Sequence, residues 1–461
     1  MDRRNFIQHS TLGAMALSLG HRVSHAKDTN KPNILVILTD DQAFRAIGYN
    51  NPEVLTPNMD RLAGEGVIFE NAYISTPICA ASRASLLTGV YPQQNGSVGL
   101  SAEGFKKTVI EEGKYRTPAQ FLDAQGYKTG FAGKSHLGDP KAYGFQEGEE
   151  IKERNDDPSF ERAGVFLRER VEDGEPFFFW LATHQPHIPL QPESKWTGLY
   201  RDREITIDPN FQESPPEGSL FNQGLPGESY YRDSKLKSNY GETSAGPPRS
   251  REEIETFIRG YYATITRLDH QIGELVKILE AGGKLENTAI LFLSDNGYLL
   301  GNHGLGNKIT MHEEAVRVPM FLRWGGLQNK GIRTDELVSS VDLYPTVMDI
   351  AGVENPEWLE GKSLLPLCEN PDEPLRDYVA SECVGVGGEP GQGHRMVRSK
   401  EWKYILTGVN EDAVFNEEED PYEMNNLVGS EENRETLNRM REWMAEWMDR
   451  VGDGHARPPK P

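Results

Sequence analysis

Four short apolar runs stand out along the chain, and each gives way abruptly to polar residues. Asn33-Ile34-Leu35-Val36-Ile37-Leu38 leads into Thr39-Asp40-Asp41-Gln42. Tyr127-Lys128-Thr129-Gly130-Phe131-Ala132 leads into Gly133-Lys134-Ser135-His136. Phe177-Phe178-Phe179-Trp180-Leu181-Ala182 leads into Thr183-His184-Gln185-Pro186-His187, and Thr288-Ala289-Ile290-Leu291-Phe292-Leu293 into Ser294-Asp295-Asn296-Gly297. Continuous apolar runs of this length fit strands buried on both faces of a parallel sheet.

Helical patterns lie between the runs. Thr56-Pro57 and Thr117-Pro118 pair an N-cap residue with a first-turn proline. From Arg251 to Leu279 the apolar residues Ile254, Phe257, Ile258, Tyr261, Ile265, Leu268, Ile272, Leu275 and Leu279 recur at helical spacing. Alternating strands and helices predict an α/β fold with a mostly parallel central sheet sandwiched by helices. Sites in such sheets form beyond the carboxyl ends of the strands, which brings all four polar motifs to one edge.

Residues 195 to 250 are rich in Pro, Gly, Ser and charge and show no periodicity, so they predict a long functional or disordered loop. Met396-Val397-Arg398 and Trp402 to Leu406 read as a hairpin, and Glu431 to Val451 as an amphipathic helix. The organisation expected is an export signal over 1–26, a catalytic domain over 30–370 and a small α+β subdomain with an antiparallel sheet over 371–455. The signal rests on Arg3-Arg4-Asn5-Phe6-Ile7, the apolar stretch Thr11 to Leu19, and small residues at Ser24 and Ala26. The mature protein is then periplasmic or extracellular.

The 461 residues carry 49 Lys and Arg against 71 Asp and Glu, a net charge of −22. That balance excludes non-specific nucleic-acid binding, which needs a basic face. No internal run of about 20 apolar residues predicts a membrane span. Only three cysteines occur, Cys79, Cys368 and Cys383, too few for a disulfide framework. Cys368 and Cys383 either pair or remain free.

The strand ends carry the chemistry. Asp40 and Asp41 are adjacent carboxylates that need a cation if buried together. Asp295 and Asn296 offer a second pair of oxygen ligands, and such donors suit Ca²⁺ or Mg²⁺; the plain alternative is turn and capping Asp. Lys134 with His136, His184 with His187, and the glycine-flanked stretch from Leu300 through His303 to Lys308 add positive charge and proton-transfer groups. With Arg83, they make a locally basic pocket on an acidic protein.

Cys79-Ala80-Ala81-Ser82-Arg83, followed by Leu86-Leu87-Thr88-Gly89, resembles the signature of the type I, formylglycine-dependent sulfatases of the alkaline phosphatase superfamily. Asp40-Asp41-Gln42, Thr56 to Leu62, Gly133-Lys134-Ser135-His136, His184 to Pro189, Ser294 to Gly297, and Lys308 with Glu313-Glu314 and Arg317-Val318-Pro319 are similar to that family in order. So is the tail, Asp420 to Leu427. The likeness spans about residues 32 to 427 and leans towards bacterial carbohydrate sulfatases, with features of the heparan N-sulfatase and iduronate sulfatase branches.

The resemblance implies a fold, an activity and a site. Cys79 is oxidised to formylglycine by a separate maturation enzyme, and the hydrated aldehyde attacks sulfur and later expels sulfate. Asp40, Asp41, Asp295 and Asn296 bind the metal, Ca²⁺ in preference to Mg²⁺, with residue 79 as a further contact. Arg83 holds the formylglycine, Lys134 and Lys308 bind sulfate, and His136 is the base for elimination. His184 protonates the leaving oxygen, with Lys308 the competing candidate; the roles of His187 and His303 stay open. The expected substrate is a sulfated saccharide. Ala81 stands where many members have Pro, and Asn302 where many have Glu. The competing functions are phosphate or phosphonate monoester hydrolysis on the same sheet, and glycan binding without turnover if Cys79 is unmodified.

Overall fold

The computed structural model describes residues 31–190, 192–215, 250–385, 391–407 and 412–459, and the backbone of 235–238 and 241–244. The expected export signal over 1–26 lies outside the described residues, as does much of the 195–250 segment.

Eight strands form the central sheet: β1 (Asn33–Asp40), β2 (Val67–Tyr73), β3 (Lys128–Gly133), β4 (Glu147–Glu150), β5 (Phe177–Pro186), β6 (Thr288–Ser294), β7 (Met320–Arg323) and β8 (Ile332–Ser339). Their order is β8-β2-β7-β6-β1-β5-β3-β4, and only β7 runs antiparallel to its neighbours. The four apolar runs are β1, β3, β5 and β6, which lie side by side in the middle. There neither face meets water, so the alternation that marks a half-exposed strand is missing.

Each face of the sheet has its own helices. Ile34, Val36 and Leu38 of β1 join the cluster that contains α2 (Cys79–Thr88) and α6 (Leu343–Ala351), with α3 (Pro118–Ala124) nearby. Leu35 and Ile37 point the other way, towards α1 (Pro57–Gly64), α4 (Asp157–Asp173) and the long α5 (Arg251–Ala281). The result is a three-layer α/β sandwich.

Thr117 caps α3 as expected, accepting from Gln120 N in a capping box. Thr56 makes no cap bond to α1. Its hydroxyl instead accepts from Gly48 N and donates to Asp60 Oδ1, because the chain folds back over that side of the helix. Cys368 and Cys383 are both buried and free. A second sheet, β9 (Val379–Cys383), β10 (His394–Arg398), β11 (Trp402–Leu406) and β12 (Ala413–Asn416), is wholly antiparallel, and α7 (Arg434–Val451) packs Leu437, Met440, Met444 and Trp447 against it. No described helix is long and apolar enough to cross a membrane.

Candidate active site

The carboxyl ends of β1, β3, β5 and β6 converge on one buried cluster. Asp40 ends β1, and Asp41 takes a left-handed turn (φ 64°) directly after it. Tyr261 on α5 stabilises that turn: its hydroxyl donates to Asp41 O at 2.5 Å and accepts from Ala43 N at 2.8 Å. Asp295 and Asn296 follow β6, the neighbouring strand, so register alone brings the two pairs together. Asn296 Nδ2 donates to Asp41 Oδ1 at 2.6 Å. Gly133 brings in Lys134: at φ 110°, a Cβ there would lie 1.9 Å from Ala182 O of β5, so only glycine permits this approach.

The helix α2 begins at Cys79 and is buried along its whole length. Arg83, one turn on, donates from Nε to Asp295 Oδ2 at 2.8 Å and from Nη1 to Lys134 O at 2.5 Å. It thus ties the ends of β6 and β3 to the helix. Lys134 Nζ contacts Asp40. Lys308 Nζ contacts Asp41 and lies 2.7 Å from Cys79 Sγ. Three buried carboxylates therefore face three buried cations.

Burial alone would raise the pKa of Asp40, but Lys134, with His187, Lys308 and Arg83, holds it well below the usual carboxylate range. Asp41 is raised by burial, against the pull of Lys308. Burial and then Asp40 push Asp295 up to about 6, against Arg83. Burial drives the Cys79 thiol up to about 12 despite Lys134 and Lys308, so it stays protonated at neutral pH. His136, with one side open to solvent, is pushed down to about 2 by desolvation and then by Lys134 and Arg83.

Three buried oxygens here accept no hydrogen bond: Asp40 Oδ1, Asp41 Oδ2 and Asn296 Oδ1. Orphaned acceptors of this kind are costly without a cation, and an all-oxygen set of carboxylate and amide suits a hard one. Ligand atoms of Asp40, Asp41, Cys79 and His187 lie within 4.8 Å of one another. The residues present fit a divalent metal.

The histidines singled out by the sequence have different surroundings. His184 lies within β5, its Nδ1 facing Asp156 Oδ1 at 3.2 Å. His187 joins the metal-side group, Nε2 3.8 Å from Asp41 Oδ2. His303 stacks on His312 with ring centroids 3.7 Å apart, and His312 Nδ1 bonds Glu423 of the tail at 2.7 Å. Asp156 and His312 were not singled out by sequence reasoning, Tyr261 was read only as an apolar helix position, and Glu423 only as part of the family-like tail. Asp156-Asp157-Pro158 reads as an ordinary helix start.

An acidic oxygen cluster interleaved with buried Lys and Arg, at the carboxyl edge of this sheet, defines a hydrolase of anionic esters. The chain belongs to the sulfatase family: the family's model matches residues 32–353, and the model for the C-terminal part of N-sulphoglucosamine sulphohydrolase matches 301–450. It is a sulfuric ester hydrolase by family. An ulvan-active sulfatase of Formosa agariphila is 29% identical, over 94% of this chain and 84% of that protein. An N-acetylglucosamine-6-O-sulfatase of Bacteroides thetaiotaomicron is 27% identical, over 90% and 86%. A solved structure bound to its substrate D-glucosamine-2-N,6-O-disulfate superposes with a TM-score of 0.76 at 25% identity, covering 92% of this chain and 98% of that one. The phosphonate monoester hydrolase of Agrobacterium radiobacter, at 18% identity, shares the fold with a TM-score of 0.73.

Proposed function

We propose that the protein removes sulfate from a saccharide, with residue 79 acting after a maturation enzyme has oxidised Cys79 to formylglycine. The observation that carries this reading is the setting of Cys79: first residue of a buried helix, 2.7 Å from Lys308 Nζ and grouped with Asp40, Asp41 and His187. A thiol held near pKa 12 is a poor nucleophile, so the residue type makes sense as a precursor. Once oxidised, it supplies a hydrated aldehyde, one hydroxyl of which attacks sulfur while the other later expels sulfate.

Asp40, Asp41, Asp295 and Asn296 would hold the cation, which we take as Ca²⁺. Bound there, a cation would neutralise charge on sulfate oxygens and lower the pKa of a hydroxyl beside it. Added to three carboxylates balanced by three cations, it leaves a positive field for the sulfate. That answers how a protein of net charge −22 binds an anion. Arg83 anchors residue 79 and Asp295, and Lys134 and Lys308 bind sulfate oxygens. His184 gives a proton to the leaving oxygen. His136 serves as the base for elimination, and arriving sulfate would offset the charges of Lys134 and Arg83.

A cavity of about 320 Å³ is lined by Phe44, Asn51, Tyr262, Tyr298, Asn302 and Tyr422, with charged Arg45, Glu53, Asp208, Glu314 and Arg317 also on its wall. Ala43, which follows the acidic pair, also lines it. Aromatic faces with amide and hydroxyl groups suit a sugar ring. The names of the relatives above support the same class. We take residues 30–370 as the catalytic domain and 371–455 as a subdomain that lends Tyr422 to this cavity, and residues 1–26 as an export signal.

Mass spectrometry of the Cys79 peptide from the native host, with turnover of matched aryl sulfate and aryl phosphate, tests the reading. Formylglycine and a preference for sulfate are expected. An intact thiol, or a clear preference for phosphate, overturns it.

A further inference from the structure

Asp41 combines two features that each need support. Its backbone is left-handed at φ 64°, a region that residues with a Cβ avoid. Its carboxylate is fully buried, and one oxygen of it accepts no hydrogen bond. Such a turn persists only where its surroundings dictate it. The peptide unit that follows it, Asp41–Gln42, is held at both ends. Gln42 N donates to Ser294 Oγ at 2.9 Å, at the end of β6. Asp41 O accepts from the Tyr261 hydroxyl at 2.5 Å, and the same hydroxyl accepts from Ala43 N at 2.8 Å. The first bond comes from the sheet; the other two come from α5 in the helical layer. Tyr261 is itself fixed. It is fully buried, its ring nearly parallel to those of Phe257 and Tyr298, with centroids 6.2 and 5.9 Å away. With the peptide locked, the Asp41 carboxylate has one direction open to it, beside Asp40 and Asn296.

We propose that Tyr261 is a positioning residue for the metal: by locking the Asp41–Gln42 peptide from the helical layer, its hydroxyl holds the Asp41 carboxylate in place for a divalent cation. The proposal rests on the reading of Asp40, Asp41, Asp295 and Asn296 as a metal site. Tyr261 touches neither substrate nor nucleophile, so it acts only through Asp41. Without the hydroxyl, Asp41 O and Ala43 N lose their partner and the turn is free to relax. The carboxylate must then be ordered again each time a cation binds, and that cost appears as weaker affinity.

The test is Tyr261→Phe, which deletes the oxygen and keeps the ring. Tyr200→Phe is the control. That tyrosine is also fully buried, and its hydroxyl accepts from Leu55 N at 2.8 Å and pairs with Thr266 Oγ1 of α5 at 2.7 Å, but it bonds no residue of the cluster. Calorimetric titration of the metal-free, full-length proteins with CaCl₂ reads affinity, and thermal melts of the same samples read the fold. Both variants should lower the metal-free melting temperature. Only Tyr261→Phe should weaken Ca²⁺ binding, by about tenfold, the scale of one buried hydrogen bond. In the matured enzyme, saturating Ca²⁺ should bring its kcat for 4-nitrophenyl sulfate back to within about threefold of the parent, because bound cation restores the carboxylate's place. If Tyr261→Phe does not fold alone, the three proteins are titrated in concentrated sucrose, which favours the folded state, and read the same way. Unchanged Ca²⁺ affinity in Tyr261→Phe, or an equal weakening in Tyr200→Phe, overturns the proposal. A parent protein that takes up neither Ca²⁺ nor Mg²⁺ overturns the metal reading, and this proposal with it.

Discussion

Lys308 Nζ lies 2.7 Å from Cys79 Sγ while also contacting Asp41. One ammonium therefore spans the position of the nucleophile and the metal side of the site. Desolvation disfavours its charge, but Asp41, with Asp40 and Asp295, holds its pKa well above the ordinary value, so it stays protonated. Lys308→Ala is expected to lower kcat/KM for 4-nitrophenyl sulfate by about 10²–10³-fold, the scale for one buried electrostatic donor. Lys308→Arg should not restore activity, because a planar fork cannot replace a point charge in this space. Steady-state kinetics on the two variants checks both statements.

Cys79→Ala should abolish turnover and leave the fold intact. The thiol is small, and its removal from the start of α2 costs at most about 1 kcal/mol. Activity should fall to background while circular dichroism and the melting temperature change little. Loss of the folded state would show a packing role instead.

Arg83 is predicted to be a stability residue as well as a catalytic one. It bonds Asp295 and Lys134 O and is almost wholly buried. Arg83→Met leaves Asp295 an unpaired buried charge, a change worth about 3–5 kcal/mol. Urea unfolding of the metal-free protein should show that loss.

Chelation should destabilise the protein. Asp40 and Asp41 are adjacent and fully buried, with oxygens that accept no hydrogen bond. A cation at 100 times its Kd adds about 2.7 kcal/mol to a state that alone binds it. A chelator should lower the melting temperature by several degrees, and Ca²⁺ should restore it. An unchanged melting temperature would count against a metal in this cluster.

The tail has its own pH response. Burial pushes Glu382 on β9 up to about 7, opposed by Arg395 and reinforced by Asp453. Its folded pKa lies above the unfolded value of 4.5, so the folded state favours the proton. The contribution is fully present below about 4.5 and is lost as pH rises through about 7. Glu382→Gln should therefore be more stable than the parent at pH 8, and the two should converge near pH 5. Thermal melts at the two values decide it.

The centre of the sheet was legible because β1, β3, β5 and β6 are continuously apolar. The outer strands were not. Glu147–Glu150 is three parts glutamate, and it is a strand only because it pairs with β3 at the sheet edge, where one side meets water. Met320–Arg323 is too short to show a period, and its antiparallel place between β2 and β6 follows from tertiary packing.

The same division holds in the site. By itself the sequence determined which residue types meet: carboxylates at two strand ends, lysines after a glycine, a cysteine one turn before an arginine. These are local facts, set by strand termini and helix starts. Only the tertiary structure decided which groups touch. Asp156 grips His184 across 28 residues, Tyr261 secures the Asp41 turn across 220, and Glu423 holds His312 across 111. Such contacts obey no period along the chain. They arise because a buried polar group must find a partner wherever the packed layers bring one within reach.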